Sequence, residues 1–169
     1  VLDRVGWDVE SNGLHGGPPV TVLAGEEAHA SLFKALGYLG LGRSNVVRLG
    51  VDGQGRIRPG ALPKIVGPTI LCLQAGNVNT GAFDQATQLI PPARAAGAWV
   101  HVDGAFGLWA ATVPERANLT VGYAEADSWA VDAHKWLNVP YDSGIALVRH
   151  PVTLAGAMSV NAAYLLTED

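Results

Sequence analysis

Residues able to do chemistry gather where apolar runs end. Over 127–141 the sequence reads Asp-Ser-Trp-Ala-Val-Asp-Ala-His-Lys-Trp-Leu-Asn-Val-Pro-Tyr. A strand-like stretch closes there in a polar knot, with Lys135 expected to be walled by Trp129, Trp136 and Leu137. Desolvation disfavours an ammonium ion, so such a lysine can serve as a neutral amine. Neutral amines attack carbonyl carbons, which makes Lys135 a candidate Schiff-base residue. The competing reading is a solvated lysine after a strand, the state of most lysines.

A second group lies at 99–107, Trp-Val-His-Val-Asp-Gly-Ala-Phe-Gly. In a strand His101 and Asp103 point to one side, while Val100 and Val102 point to the other. A carboxylate ending a buried strand needs a cation or hydrogen bonds. Asp103 therefore either caps the turn at Gly104 or awaits a positive ligand group. Gly104 and Ala105 are small enough to let a flat ring lie close. The pairs His101-x-Asp103 and Asp132-x-His134 also resemble metal ligands. A metallohydrolase built on them would leave Lys135 and His29 without a role, and it ranks low.

The elements that must position these residues alternate strand and helix. Strands are predicted at 20–23, 46–51, 69–74, 99–103, 129–132 and 144–149. Helices are predicted at 30–38 and 85–96, with a short one at 59–65 and a helical turn near Pro114. Asp84 is placed as the cap of the 85–96 helix. Residues 1–17, rich in glycine, read as a loop, and 52–55 as a turn. This alternation means an α/β fold with a mostly parallel sheet flanked by helices. The last strand follows its predecessor too closely for a crossover and is expected to run antiparallel. Ligands of open α/β sheets bind outside the carboxyl ends of the strands. His29, 76–80, Asp103, Asp132, His134 and Lys135 all fall there.

Composition narrows the function further. The chain has 169 residues, 49% of them hydrophobic and only 15% charged, which suits one domain with a sheet buried on both faces. A formal charge of −4 without any basic run argues against a nucleic-acid partner. No apolar run approaches the roughly 18 residues of a membrane span, and no signal peptide is visible. Cys72 is the only cysteine, so no internal disulfide can form; it is expected in the core, and a cytoplasmic setting is expected. The chain begins at Val1 and stops at Asp169 in mid-pattern, and an excerpt of a longer protein is expected.

Taken together, His-Lys-Trp at 134–136, His-Val-Asp-Gly-Ala-Phe-Gly at 101–107 and Ala-His-Ala-Ser at 28–31 resemble the pyridoxal-phosphate-dependent amino-acid decarboxylases of group II, which include glutamate and aromatic-amino-acid decarboxylases. Ala75-Gly76 and Thr80-Gly81-Ala82-Phe83-Asp84 extend the resemblance, which runs from about residue 25 to residue 149. It implies the large domain of the aspartate-aminotransferase-like fold (fold type I), present here only in part as one unit over 1–169. It also implies a homodimer, pyridoxal 5'-phosphate as cofactor and an L-amino acid as substrate. By this resemblance Lys135 forms the internal aldimine and Asp103 binds the pyridine nitrogen. His29 stacks on one face of the ring, Ala105 presses on the other, and His134 lies near the phosphate. The family's protonated ring is an electron sink for the carbanion left by decarboxylation.

The chain departs from the family pattern in several places. Asn77-Val78 stands where many relatives carry a Thr pair, Asp132 where many have Asn, and Gly104 where Ala is commoner. The segment that supplies most phosphate contacts, the mobile loop with a catalytic tyrosine and the small C-terminal domain are not found in the sequence. Tyr164 lies near where that loop would begin and receives no role. Two alternatives remain on the same fold: an aminotransferase or other lyase, and a non-catalytic relative acting through dimerisation.

Overall fold

The computed structural model describes residues 1–159. Tyr164 lies outside them. Six strands form one sheet: β1 (Thr21–Gly25), β2 (Val47–Leu49), β3 (Thr69–Gln74), β4 (Trp99–Asp103), β5 (Ser128–Asp132) and β6 (Gly144–Val148). Their spatial order is β2-β1-β3-β4-β5-β6. The first five run parallel, and β6 pairs antiparallel with β5, as expected from the short connection.

The central strands are buried because they are apolar on both faces, while β6 is largely exposed. Leu23, Leu71, Leu73, Val100 and Val102 share one core with Leu89, Ile90 and Ala93 of the helix Ala86–Ala95. Val22, Ala24 and Cys72 form a second core with Leu36 of the helix Ala30–Tyr38. In chain order the helices are α1 (Val9–Asn12), α2 (Ala30–Tyr38), α3 (Ala86–Ala95), α4 (Ala133–Trp136) and α5 (Pro151–Met158). The two cores place α2 and α3 on opposite faces. Between β1 and β3 the strand order reverses, and in such sheets the carboxyl ends at that point form a crevice. None of these helices is long and apolar enough to cross a membrane.

Burial overrides local propensity in α3. Pro91 and Pro92 sit inside it, and an interior proline removes a hydrogen bond at a cost on the order of 3 kcal/mol. The helix persists because Ala86, Leu89, Ile90 and Ala93 recur at helical spacing and are all buried.

Several expectations need correction. Residues 1–17 are not all loop, since Asp3–Val5 is a 3-10 turn and Asp8 caps α1 by accepting from the Ser11 N–H. β2 ends at Leu49, and Val51 instead bridges to Ile57 across the 52–55 turn. The expected 59–65 helix is a single 3-10 turn, Pro59–Ala61, because Pro63 cannot continue it. Asp84 does not cap α3; its carboxylate is spent elsewhere, as described below. Lys135 lies in the short helix α4, not at the start of a loop.

Candidate active site

β4 and β5 are laddered beyond their ends, and this brings the polar residues together. Ala75 N–H donates to the Asp103 carbonyl at 2.7 Å, Gly104 N–H to the Ala130 carbonyl at 2.8 Å, and Asp132 N–H to the Ala105 carbonyl at 2.9 Å. Asp103 therefore ends its strand between the end of β3 and the residues leading to Lys135. The alternating burial of β4 puts Val100 and Val102 in the core and leaves His101 and Asp103 half-buried on the other side, as predicted. One carboxylate oxygen of Asp103 accepts from the Ala105 N–H at 3.1 Å. The other has no hydrogen-bond partner among the described residues. The turn-cap reading of Asp103 is thus met by one oxygen, and the other is left without a protein donor.

His101 supports this face from beneath. Its Nδ1 lies 2.8 Å from Ser128 Oγ, which also accepts from the Trp99 indole N–H at 2.8 Å. Burial lowers the His101 pKa, partly opposed by the Asp103 charge. Cys72 is its cross-strand neighbour. Burial first, and Asp103 second, push that thiol up to about 12, so it acts as a small core residue. Among the described residues no three His, Cys, Asp or Glu side chains are placed to hold a metal ion.

His29 is the N-cap of α2. Its Nδ1 accepts from the Ser31 N–H at 3.3 Å and lies 2.7 Å from Ser31 Oγ, which fixes the ring while leaving it exposed. The loop carrying it is tied to the end of β3. Gln74 Nε2 donates to the Glu27 carbonyl and Asn77 Nδ2 to Glu27 Oε2, both at 3.3 Å. Asn77 is buried, and its oxygen accepts from the Asn79 and Thr80 N–H groups. It shapes its own loop.

Lys135 differs from the expected walled amine. Trp129 points to the opposite face of the sheet, packs on the α3 core and donates to the Tyr123 carbonyl. Trp136 and Leu137 are exposed. The neighbours of Lys135 Nζ are Asp132 Oδ2 at 2.8 Å and the Phe106 ring, 5.9 Å to its centroid. The lysine side chain is 39% exposed. His134 is buried, with its ring 4.0 Å from that of Tyr141. Its Nδ1 accepts from the Ser143 N–H at 3.0 Å, which puts the imidazole proton on Nε2, 3.7 Å from Asp132 Oδ2. Ala105 is half-buried beside Asp103.

Two supports went unseen in the sequence. Gly76 has φ +103°, and a Cβ there would lie 2.7 Å from the Phe106 ring, so glycine lets that ring settle near Lys135. Asp84 is a buried clasp: its oxygens accept from the Ile57 and Gln74 N–H groups, each at 2.7 Å. Tyr123 closes the same knot, donating to the Gln74 and Asp84 carbonyls. Burial raises the Tyr123 pKa, with the Asp84 charge adding to the effect. Only the position of Asp84 beside a predicted helix hinted at any of this.

The class that emerges is an open α/β sheet with an amine, a carboxylate and an imidazole at the carboxyl ends of its parallel strands. Residues 11–169 match the Pyridoxal-dependent decarboxylase conserved domain, and the chain belongs to that family. It is 31% identical over 171 residues to Acidic amino acid decarboxylase GADL1 of Bos taurus, covering 96% of this chain and 33% of that protein. It is 29% identical over 175 residues to L-tyrosine/L-DOPA decarboxylase 2 of Lophophora williamsii, covering 98% and 32%. Mouse CSAD in apo form superposes with a TM-score of 0.86 at 26% identity, over 99% of this chain and 37% of that one. Oryza sativa TDC with PLP and tryptamine gives 0.83 at 28% identity, over 99% and 35%. The fold is therefore that of fold type I decarboxylases, and the chain spans about a third of the length of these relatives.

Proposed function

We propose that these residues are the cofactor-binding part of a pyridoxal-phosphate-dependent carboxy-lyase acting on an L-amino acid. The observation that carries this reading is the unpartnered oxygen of Asp103 on a half-buried strand end, one strand from the amine of Lys135. That donor set suits the cofactor. Lys135 supplies the amine that holds its aldehyde carbon, and the free Asp103 oxygen accepts the pyridine N–H. His29, braced by Ser31, offers an exposed imidazole face for stacking, and Ala105 supplies a small surface for the other side of the ring. The Nε2–H of His134 is a donor available to the phosphate. When bound, the protonated ring takes up the electron pair left on the substrate's α-carbon as carbon dioxide departs. The protein's part is to keep that ring protonated, and a carboxylate opposite its nitrogen does so.

The unit is a partial large domain that works within a longer chain, as a homodimer in the cytoplasm. The named relatives act on acidic and aromatic amino acids, so those are the substrate classes to test. Full-length protein treated with borohydride should carry a pyridoxyl group on Lys135 by peptide mapping. Label on Lys34 or Lys64 instead would overturn the site. Carboxyl-labelled acidic and aromatic amino acids should release carbon dioxide with an amine as co-product. Stoichiometric keto acid without carbon dioxide would turn the reading to an aminotransferase on the same site.

A further inference from the structure

We propose that Asp132 is a positioning residue that latches Lys135 in the cofactor-free protein and must release it before the cofactor is captured. This rests on the cofactor reading above. Asp132 occupies the N-cap position of α4, where an aspartate ordinarily accepts from the first helical N–H groups. Here its side chain makes no capping bond. The first two of those N–H groups go to another partner, because the Ser143 carbonyl accepts from Ala133 N at 3.0 Å and from His134 N at 3.4 Å. The carboxylate is thereby freed to turn toward the site. It lies 2.8 Å from Lys135 Nζ and 3.7 Å from His134 Nε2. The Ser143 N–H on Nδ1 fixes the His134 ring, whose Nε2 stays beyond hydrogen-bond reach of that oxygen and leaves Lys135 Nζ as its close partner.

An ion-paired ammonium is not a nucleophile. For capture, the pair separates and one ammonium proton passes to solvent. Nζ then forms a bond to the cofactor's aldehyde carbon, and the carbonyl oxygen leaves as water with the two remaining amine hydrogens. Asp132 restrains the first of these events. Its side chain is 32% exposed and that of Lys135 39%, so solvent weakens the pair. Its removal should speed capture by about two- to fivefold, the range set by an exposed ion pair.

A carboxylate near the site could also act by repelling the cofactor's phosphate. The two routes separate with two probes, pyridoxal phosphate and pyridoxal, which has no phosphate. Full-length protein is freed of cofactor, and capture at Lys135 is followed by absorbance and by borohydride trapping with peptide mapping. Asp132→Asn should capture both probes faster by a similar factor, and Asp132→Glu, which restores the carboxylate, should stay near the wild-type rate. A gain confined to pyridoxal phosphate would assign Asp132 to phosphate repulsion and overturn the latch. An unchanged or slower rate for Asp132→Asn, with native circular dichroism, would overturn it as well. Should Asp132→Asn not fold, equal capture by wild type and Asp132→Glu with pyridoxal still supports the latch, and a gain in Asp132→Glu refutes it. Absence of label on Lys135 in wild type would remove the cofactor reading itself, a result distinct from all of these.

Discussion

Asp84→Asn tests the clasp that holds the floor of the site. The Asp84 carboxylate is buried, with 4% of the residue exposed, and accepts from Ile57 N and Gln74 N at 2.7 Å each. These bonds favour the charged form, but burial outweighs them and raises its pKa to about 6, with Asp52 adding slightly and Arg56 opposing. The sign follows from linkage. The folded chain holds the Asp84 proton more tightly than the unfolded chain, whose value is 3.8. Stability from this group is therefore greatest below pH 3.8, falls as pH rises toward 6, and is level above it. The rise of about two units corresponds to about 3 kcal/mol across that window. Asparagine carries no charge, so it lacks this pH dependence, but it loses one of the two acceptors, at a cost of about 1–3 kcal/mol. Urea unfolding of full-length wild type and variant should be compared at pH 4 and pH 7. Wild type should be the more stable by a clear margin at pH 4, with the margin shrinking by about 2 kcal/mol at pH 7, since pH 4 already lies inside the window. A margin constant with pH, or one that widens at pH 7, would refute the reasoning and give the two hydrogen bonds precedence over burial.

Other substitutions check the site directly. Asp103→Asn keeps the shape of the strand end but removes the charge that the proposed function sets against the ring nitrogen. Turnover should fall about a hundredfold, on the order of 3 kcal/mol in the barrier, with cofactor binding falling less; turnover within about threefold of wild type would remove Asp103 from that role. Gly107→Ala places a Cβ against the Ala75 carbonyl oxygen, so the backbone just after β3 or just after β4 must shift. A loss of about 1–3 kcal/mol is expected in urea unfolding, and an unchanged midpoint would show that this crossing is loose. The isolated 169-residue chain should give no turnover in the carbon dioxide assay, since it spans about a third of its relatives; measurable turnover would show that it is sufficient by itself.

Much of the sheet could be read from the sequence because each strand is a short apolar run bounded by turn residues. Thr69–Gln74 and Trp99–Asp103 match their predicted bounds, and the antiparallel last strand followed from connection length alone. The failures share one cause, the replacement of a local signal by a distant one. Asp84 is a natural helix cap by residue type, but Ile57 and Gln74 present buried N–H groups that have no other acceptor. Pro91 and Pro92 argue locally against a helix, and the buried Leu89, Ile90 and Ala93 override them. At 59–65 nothing comparable opposes Pro63, and the helix stops after one turn.

The site divides along the same line. Strand alternation alone was enough to put His101 and Asp103 on one side, because period two is a local property. The surroundings of Lys135 are not local. Trp129 precedes it by six residues but packs on the α3 core, while Lys135 lies past the strand end in α4; Phe106, much farther away in sequence, is its aromatic neighbour. Asp132 is close in sequence, yet its orientation depends on Ser143, whose carbonyl satisfies the helix start and leaves the carboxylate free. Residue type and spacing therefore identify which groups lie at the carboxyl ends of the strands. Which of them faces the amine is decided by hydrogen bonds closed from a distance, and at Lys135 the closing residue is Ser143.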